Sequence, residues 1–303
     1  MTTVAAIDCG TNMTRLLIRR GAQDLERRLD FTRLGQGVDR HRRLEEAAVE
    51  RTLEVLRAFR ELMERHEVER FRAVTTSATR DADNRDEFLR GASEALGGPL
   101  ELLSGEDEGR LAFRGATAIL DPAFGPFLVA DIGGGSTELA TGSGGSDDKP
   151  QVVSLDVGCV RVTERFLETD PPTSEQLSQA VQVVRIHLQE AAREIPGLRE
   201  ARQLVGVAGT FTTMAAVEMG LQTYDRNRVH HFELTRAAAE DVFRTLATEK
   251  LADRVFNPGL APERADVIVA GALVAVSIMR EFEFGSCLVS EADLLDGLVA
   301  SQL

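Results

Sequence analysis

Asp131-Ile-Gly-Gly-Gly-Ser-Thr-Glu138 follows a run of apolar residues and leads into a second short, β-rich run. Three consecutive glycines allow positive φ angles, so successive backbone N–H groups can point towards one spot and form an anion-binding nest. Ser136 and Thr137 add hydroxyl donors, while Asp131 and Glu138 place carboxylates beside the nest. Because Mg²⁺ is held by one or two carboxylates together with phosphate oxygens, the segment predicts a phosphate site with a bound cation. The alternative is a glycine-rich hairpin turn with exposed acids.

A second segment of this design, Asp8-Cys-Gly-Thr-Asn12, ends the first β-rich run of the chain. Each segment opens a series of three strands, a helix, a strand and a helix. The period is far longer than that of a solenoid, so it indicates a duplicated domain. Two copies that face each other can enclose a ligand between them. The sequence thus predicts an α/β fold of duplicated actin-like ATPase (ribonuclease H-like) domains facing a central cleft.

The pattern restarts at Asp121-Pro122, where we place the boundary between the two copies. We expect residues 1–122 to form an N-terminal domain that contains Arg80 and Glu108. Residues 123–303 are expected to form a C-terminal domain that contains the glycine-rich loop 133–137. The last predicted helix, 291–301, is a candidate to pack back on the first domain.

Three glycine-containing turns are candidates to bind phosphate. The first and second are the turns already described, and the third, within Gly206-Val-Ala-Gly-Thr210, opens a helix whose N-terminus can bind an anion. An ordinary β-turn and a helix cap remain the alternatives for the first and third. The predicted phosphate-binding residues are Gly10, Thr11, Asn12, Gly133, Gly134, Gly135, Ser136, Thr137, Gly209 and Thr210, and the predicted metal ligands are Asp131, Glu138 and Asp8.

Two further polar segments follow predicted strands of the first domain. Arg80 comes shortly after a buried strand, where α/β clefts place their ligands, and is our candidate to neutralise phosphate charge. An acidic run ends at Glu108 and follows the next strand. Ser104 and Asp107 have capping-box spacing, so helix capping and the helix dipole explain this run without any catalytic role.

The composition limits the classes of function. The formal net charge of −14 argues against a nucleic-acid or membrane-surface partner. No run approaches the 18 apolar residues that span a bilayer, and no basic leader precedes the first strand. Three widely spaced cysteines without a CxxC pair argue against disulfides and zinc. We therefore expect a cytoplasmic protein with no membrane association.

Taken in order and spacing, these motifs resemble the exopolyphosphatase and guanosine pentaphosphate phosphohydrolase family. The joint presence of the glycine-rich segment and the acidic run is specific to that family and absent from actin-like sugar kinases. The resemblance covers nearly the whole chain and is carried by residues 8–16, 33–38, 76–82, 104–110, 131–139, 206–213, 224–229 and 264–271.

The resemblance implies the short, two-domain form of the family and gives roles to individual residues. Glu108 falls on the proposed catalytic base, Arg80 on the arginine of the Ser-Ala-x-Arg-Asp segment, and Asp131 and Glu138 on positions thought to hold Mg²⁺. It implies hydrolysis of the terminal phosphate of inorganic polyphosphate. The alternatives are hydrolysis of the 5′ γ-phosphate of pppGpp and a non-catalytic polyphosphate or nucleotide sensor. Homodimers are usual in the family.

The chain departs from the family pattern at two places. Met13 stands where Ser or Thr is usual, which removes a hydroxyl from the first loop. The sequence Val289-Ser-Glu-Ala-Asp-Leu-Leu-Asp-Gly297 lacks the Gly-x-Arg-Glu-Gly of many members. Any substrate contact made by that Arg-Glu pair is therefore in doubt.

Overall fold

The computed structural model describes residues 2–145 and 148–303, which build two β-sheets with helices around them. The first sheet has the strand order β3-β2-β1-β4-β5. Strands β1 and β2 are antiparallel, whereas β1, β4 and β5 run parallel to one another. The strands are β1 (Thr3–Cys9), β2 (Thr14–Arg20), β3 (Gln23–Asp30), β4 (Arg70–Thr75) and β5 (Leu100–Leu102).

The second sheet repeats this topology. Its order is β8-β7-β6-β9-β11-β10, so the first five strands follow the pattern of the first sheet and β10 adds an antiparallel edge. The repeated order confirms the predicted α/β fold with duplicated actin-like domains. The strands are β6 (Phe127–Ile132), β7 (Thr137–Gly142), β8 (Gln151–Leu155), β9 (Gln203–Val207), β10 (Glu233–Thr235) and β11 (Ser286–Val289).

Helices connect the parallel strands, as crossover geometry requires. In the first half they are α1 (Val38–His41), α2 (Glu46–Arg65), α3 (Ser77–Asp81), α4 (Arg85–Leu96) and α5 (Gly105–Thr117). In the second half they are α6 (Cys159–Phe166), α7 (Ser174–Glu194), α8 (Ala208–Glu218), α9 (Arg226–Val229), α10 (Arg236–Thr248), α11 (Leu251–Arg254), α12 (Ile268–Glu281) and α13 (Leu294–Ala300). Short 3₁₀ turns lie at Pro122–Phe124, Pro196–Arg199 and Pro262–Arg264.

The long helix α2 buries the face that its spacing predicts. Helix α2 buries Ala48, Thr52, Leu56, Phe59 and Met63, which recur every three or four residues. Helix α12 differs, because every residue from Ile268 to Met279 is buried and the helix lies inside the second core. Among the described residues, no helix has both the length and the apolar character needed to cross a bilayer.

Helices α5 and α13 each cover the sheet of the opposite half. Helix α5 follows β5 but packs on β7 and β8, whereas α13 follows β11 and packs on β1 and β2. The two helices also cross each other, with glycines where their backbones meet. A Cβ on Gly115 would lie 2.0 Å from the Asp293 carbonyl oxygen, and one on Gly297 would lie 2.0 Å from the Leu111 carbonyl oxygen. This exchange ties the halves together beneath the cleft.

Candidate active site

The two hairpins that open the halves have equivalent geometry. Asp8 is the cross-strand partner of Arg15 in β1 and β2, and Asp131 is the cross-strand partner of Glu138 in β6 and β7. The position opposite the aspartate is therefore a basic residue in the first hairpin and an acidic residue in the second. Arg15 holds Asp8 through Nη2 at 2.7 Å and also pairs with Asp293. Arg15 was not among the predicted site residues, although its seven-residue spacing from Asp8 matches the spacing of Asp131 and Glu138.

The second hairpin turn presents three unpaired amides. The turn is closed by Gly133 N, which donates to the Ser136 carbonyl at 3.0 Å. Within the described part of the chain, no acceptor is found for the N–H groups of Gly134, Gly135 and Ser136. The Gly134 carbonyl accepts from the N–H groups of Val160 and Arg161 on α6. The turn therefore leaves successive amides free, as an anion nest does, but Gly133, Gly134 and Gly135 do not adopt the positive φ angles that the sequence suggested.

The first hairpin turn is built in the same way. Gly10 N donates to the Met13 carbonyl at 2.9 Å, while the Thr11 and Asn12 carbonyls accept from Gly35 N and Arg33 N. The N–H groups of Thr11, Asn12 and Met13 likewise find no acceptor among residues 2–145 and 148–303. Met13 contributes its amide despite its lack of a hydroxyl.

The two turns lie against each other. A Cβ on Gly134 would come within 2.6 Å of the Thr11 Cβ, and one on Gly135 within 2.3 Å of Ser77 Oγ. Thr11 Oγ1 and Ser77 Oγ are 3.1 Å apart and share a hydrogen bond. Glycine is therefore required at 134 and 135 because the halves approach so closely, in addition to any role in binding anions.

Most of the predicted phosphate and metal residues line one cleft of about 720 Å³ between the halves. Gly135, Thr137 and Glu138 lie behind this lining, and the Thr137 hydroxyl donates to the Val157 carbonyl. Arg80 reaches the cleft residues through its side chain. The predicted residues in the lining are Asp8, Gly10, Thr11, Asn12, Glu108, Asp131, Gly133, Gly134, Ser136, Gly209 and Thr210.

Arg80 bridges the two halves at the cleft. Its Nη1 donates to Glu108 Oε2 at 2.8 Å and to the Leu103 carbonyl at 3.0 Å. Its Nη2 lies 3.5 Å from Ser136 Oγ and 3.9 Å from Glu138 Oε1. One guanidinium thus contacts the acid of the first half and the loop of the second.

The capping interpretation of the acidic run is also correct, but it does not cover Glu108. Ser104 Oγ accepts from Asp107 N at 3.1 Å and caps α5. Glu106 and Asp107 pair with Arg110 at the surface, whereas Glu108 is 7% exposed and turns into the cleft. One run of acids therefore serves both helix capping and the site.

The acidic side chains of the site have too few basic neighbours to balance their negative charge. Burial raises the pKa of Asp131 to about 8, and Asp293 and Glu108 add to the shift. Burial and Asp131 raise the pKa of Glu138 to about 7. Burial and Glu138 raise the pKa of Glu108, and burial raises that of Asp8 even beside Arg15. A cation in this cleft would relieve the repulsion.

Two orphaned oxygens point to the same conclusion. Asp8 Oδ1 and Glu138 Oε2 are buried and have no hydrogen-bond partner among the described residues. Within those residues, no group of three or more His, Cys, Asp or Glu side chains is placed to hold a metal ion, so the predicted ligands Asp8, Asp131 and Glu138 do not converge as a set of three. One or two of these carboxylates would suit Mg²⁺, which completes its shell with waters and phosphate oxygens.

The third turn packs against the guanidinium of Arg264, which was not among the residues predicted to line the site. Ala208 adopts φ 64° at the start of α8, next to Gly209. A Cβ on Gly209 would lie 1.6 Å from Arg264 Nη1, so only glycine leaves room for this guanidinium. Arg264 contacts Met13 Sδ at 3.0 Å and lies over the Phe31 ring at 5.5 Å. Met13 thus supports Arg264 at the position where the family resemblance implies a Ser or Thr hydroxyl.

A larger cavity of about 1440 Å³ adjoins the cleft and shares Met13, Arg15, Gly209 and Arg264 with it. Its further lining includes Arg27, Arg28 and Arg226. The divergent C-terminal segment borders this cavity, where Asp296 pairs with Arg19 and Arg27. Asp293 and Asp296 therefore bind arginines of β2 and β3 and anchor α13, whereas Glu291 pairs with Arg226.

Duplicated actin-like domains whose shared cleft is lined by two sets of unpaired amides suit the binding of an anion between them. Comparison with known proteins gives the family. The Ppx/GppA phosphatase family matches residues 17–303, and the chain belongs to this family.

Individual relatives agree along their full lengths. "Exopolyphosphatase 2" of Mycobacterium tuberculosis is 40% identical over 318 residues, covering 99% of this chain and 98% of its own. The crystal structure of an "exopolyphosphatase-like protein" is 39% identical with a TM-score of 0.94, covering 99% and 98%. The Aquifex aeolicus PPX-GPPA enzyme is 32% identical with a TM-score of 0.82, covering 99% of each chain.

Proposed function

We propose that this protein is an exopolyphosphatase that hydrolyses the terminal phosphate of inorganic polyphosphate. The observation that carries the proposal is the placement of Arg80 and Glu108 of the first half against the unpaired amides of residues 134–136 in the second. Membership of the Ppx/GppA phosphatase family and the similarity to a protein named exopolyphosphatase 2 support the same activity.

The chain of phosphates would lie between the two nests. The terminal phosphoryl group binds the N–H groups of Gly134, Gly135 and Ser136, and the next phosphates bind the amides of residues 11–13. Gly209, Thr210 and Arg264 flank the path that leads into the larger cavity. Backbone donors suit a substrate whose units are identical, because they recognise phosphate oxygens and no particular base or sugar.

Arg80 and Glu108 would act on the terminal phosphorus. Arg80 offsets charge on the equatorial oxygens, as phosphoryl transfer requires. Glu108 orients a water in line with the bond that breaks and accepts its proton on Oε1, the oxygen that Arg80 does not hold. The water oxygen bonds to phosphorus, and the electron pair of the broken P–O bond leaves with the shortened chain. The raised pKa of Glu108 makes it a stronger base than an exposed glutamate.

One or two of Asp131, Glu138 and Asp8 would hold a divalent cation, for which we propose Mg²⁺. Such a cation would offset negative charge on the phosphate oxygens. The unpaired Asp8 Oδ1 and Glu138 Oε2 support this assignment.

We further propose that the protein acts in the cytoplasm as a homodimer, with domains 1–122 and 123–303. Three free, buried cysteines suit a reducing compartment. Dimerisation follows from the family resemblance. The crossing of α5 and α13 would let the two domains close on the substrate without separating.

Phosphate release from long-chain polyphosphate and from pppGpp tests the proposal directly. We expect faster release from polyphosphate, dependence on Mg²⁺, and loss of activity in EDTA that Mg²⁺ restores. Faster release from pppGpp would make the protein a pppGpp phosphohydrolase with the same site. Tight binding of either compound without any release would support a sensor.

A further inference from the structure

Arg161 joins the second phosphate loop to two elements of the first half. It lies on α6, is 7% exposed, and uses all three of its guanidinium nitrogens. Nε donates to the Gly135 carbonyl at 2.6 Å, Nη1 donates to Asp39 Oδ1 on α1 at 2.5 Å, and Nη2 pairs with Asp81 on α3. Asp81 directly follows Arg80 in the chain.

These contacts determine which way the loop amides point. In a trans peptide the C=O of one residue and the N–H of the next point in opposite directions. The carbonyls of Gly133 and Gly134 accept from backbone N–H groups of α6, and the Gly135 carbonyl accepts from Arg161. The N–H groups of residues 134–136 are thereby directed away from α6 and left free for a ligand.

The first loop achieves the same orientation without a side chain. Asn12, which is equivalent to Gly135, has its carbonyl held by the backbone N–H of Arg33. In the second loop this task falls to a side chain that is itself anchored on the opposite half. The orientation of the Ser136 amide therefore depends on contact between the halves.

We propose that Arg161 is a positioning residue that couples closure of the two halves to alignment of the second phosphate loop with Arg80. The proposal rests on the proposed function for its effect on turnover, but the coupling itself concerns the structure of the free protein. When the halves separate, Asp39 and Asp81 leave Arg161, and the loop loses the contact that fixes its third carbonyl. The site would thus be complete only in the closed cleft.

Arg161→Lys tests this role, with Arg165→Lys as the matched control. Lysine keeps the positive charge between the buried carboxylates but lacks the planar fork that reaches three acceptors. Arg165 lies one turn further along α6 and also pairs with Asp39, but it is 46% exposed and contacts neither Gly135 nor Asp81. The two variants therefore differ in their contact with the loop and with α3.

For phosphate release from polyphosphate, we expect Arg161→Lys to lower kcat about 100-fold, as for other small misplacements of catalytic groups. KM should change little, because a long chain makes most of its contacts elsewhere in the cleft. Arg165→Lys should keep kcat near the wild-type value. If Arg161→Lys fails to fold, Asp81→Asn should reproduce the loss in kcat, because it removes the negative charge that pairs with Arg161 while keeping the size of the side chain.

Small-angle X-ray scattering on the same proteins supplies a measurement that does not need activity. We expect a larger radius of gyration for Arg161→Lys and Asp81→Asn than for the wild type and Arg165→Lys. If the wild type releases no phosphate from polyphosphate but this expansion occurs, the proposed function fails and the coupling stands. An unchanged radius of gyration overturns the coupling, and so does a kcat loss shared equally by Arg161→Lys and Arg165→Lys.

Discussion

At the scale of single residues, the two duplicated hairpins differ in charge at one equivalent position. Arg15 and Glu138 occupy equivalent positions in the two hairpins, opposite Asp8 and Asp131. The first hairpin is therefore internally neutralised, whereas the second carries two carboxylates whose pKa values are raised. This difference places the proposed cation, and with it the reacting phosphate, beside the second loop.

Arg80→Lys tests the role of the guanidinium fork. Lysine keeps one positive charge but cannot contact Glu108, the Leu103 carbonyl and Ser136 together. We expect kcat for polyphosphate to fall by about 10²-fold or more, as when a preorganised donor is lost. Arg90→Lys, at an exposed position on α4, is the control and should leave turnover unchanged. Equal activity of the two variants would remove Arg80 from the mechanism.

The sequence indicated many of these residues, but not all. The glycine-rich segment indicated the second nest, but the need for its glycines is not local, because Cβ atoms at 134 and 135 would meet Thr11 and Ser77 of the first half. Glu108 could not be separated from its acidic neighbours, because all three fit a capped helix start and only tertiary packing buries one of them. Arg161 and Arg264 carry no local signal, since their partners lie in distant parts of the chain.

At the scale of elements, the crossing of α5 and α13 is the feature that local patterns do not reveal. Both helices could be predicted from their periodicity, but which sheet each covers depends on long-range packing. The three-residue strand β10 was missed because so short a segment has no readable alternation. The last helix was predicted over residues 291–301. In the structure it begins at Leu294, because Asp293 caps its N-terminus.

Gly297→Ala tests the crossing. The new Cβ would meet the Leu111 carbonyl oxygen at 2.0 Å, and backbone cannot move aside as a flexible side chain can. We expect a loss of about 1–3 kcal/mol in the free energy of unfolding, as for other overpacked sites. Thermal and urea denaturation measure it.

Gly91→Ala provides the control for that substitution. Gly91 lies within α4, and its Cβ would meet Leu53 Cδ1 at an ordinary 3.5 Å. Alanine at this site should raise stability by up to about 1 kcal/mol through its better helix propensity. If Gly297→Ala were equally stabilising, α5 and α13 would not be in close backbone contact.

At the scale of the whole molecule, a chain of net charge −14 is proposed to bind a polyanion. The structure accounts for this through local donors: two sets of unpaired amides, buried arginines, and carboxylates that suit a cation. The cleft is therefore distinct from the average surface. Composition alone could not predict this, because net charge does not report how charges are distributed.

The metal-free protein should lose stability as pH rises. Asp131 and Glu138 titrate near pH 8 and pH 7 in the folded state, whereas unfolded carboxyls titrate near pH 4. Between these values the folded state binds more protons than the unfolded state, so the free energy of unfolding falls with increasing pH. Mg²⁺ should offset the loss and raise Tm more at pH 8 than at pH 6.

Calorimetry in EDTA and in Mg²⁺ at the two pH values measures this difference. Asp131→Asn removes one of the titrating groups and should reduce both the pH dependence and the effect of Mg²⁺. An Mg²⁺ effect that is the same at both pH values, or that persists unchanged in Asp131→Asn, would place the cation elsewhere.

In the proposed reaction, the cleft between the halves hydrolyses a terminal phosphate and Glu108 acts on the attacking water. Glu108→Gln keeps the volume and the contact with Arg80 but cannot accept the proton. Phosphate release and polyphosphate binding should be measured on the same preparations of wild type and variant. We expect release to fall by at least about 10²-fold while binding is retained. Unchanged phosphate release by Glu108→Gln would contradict the proposed role of Glu108.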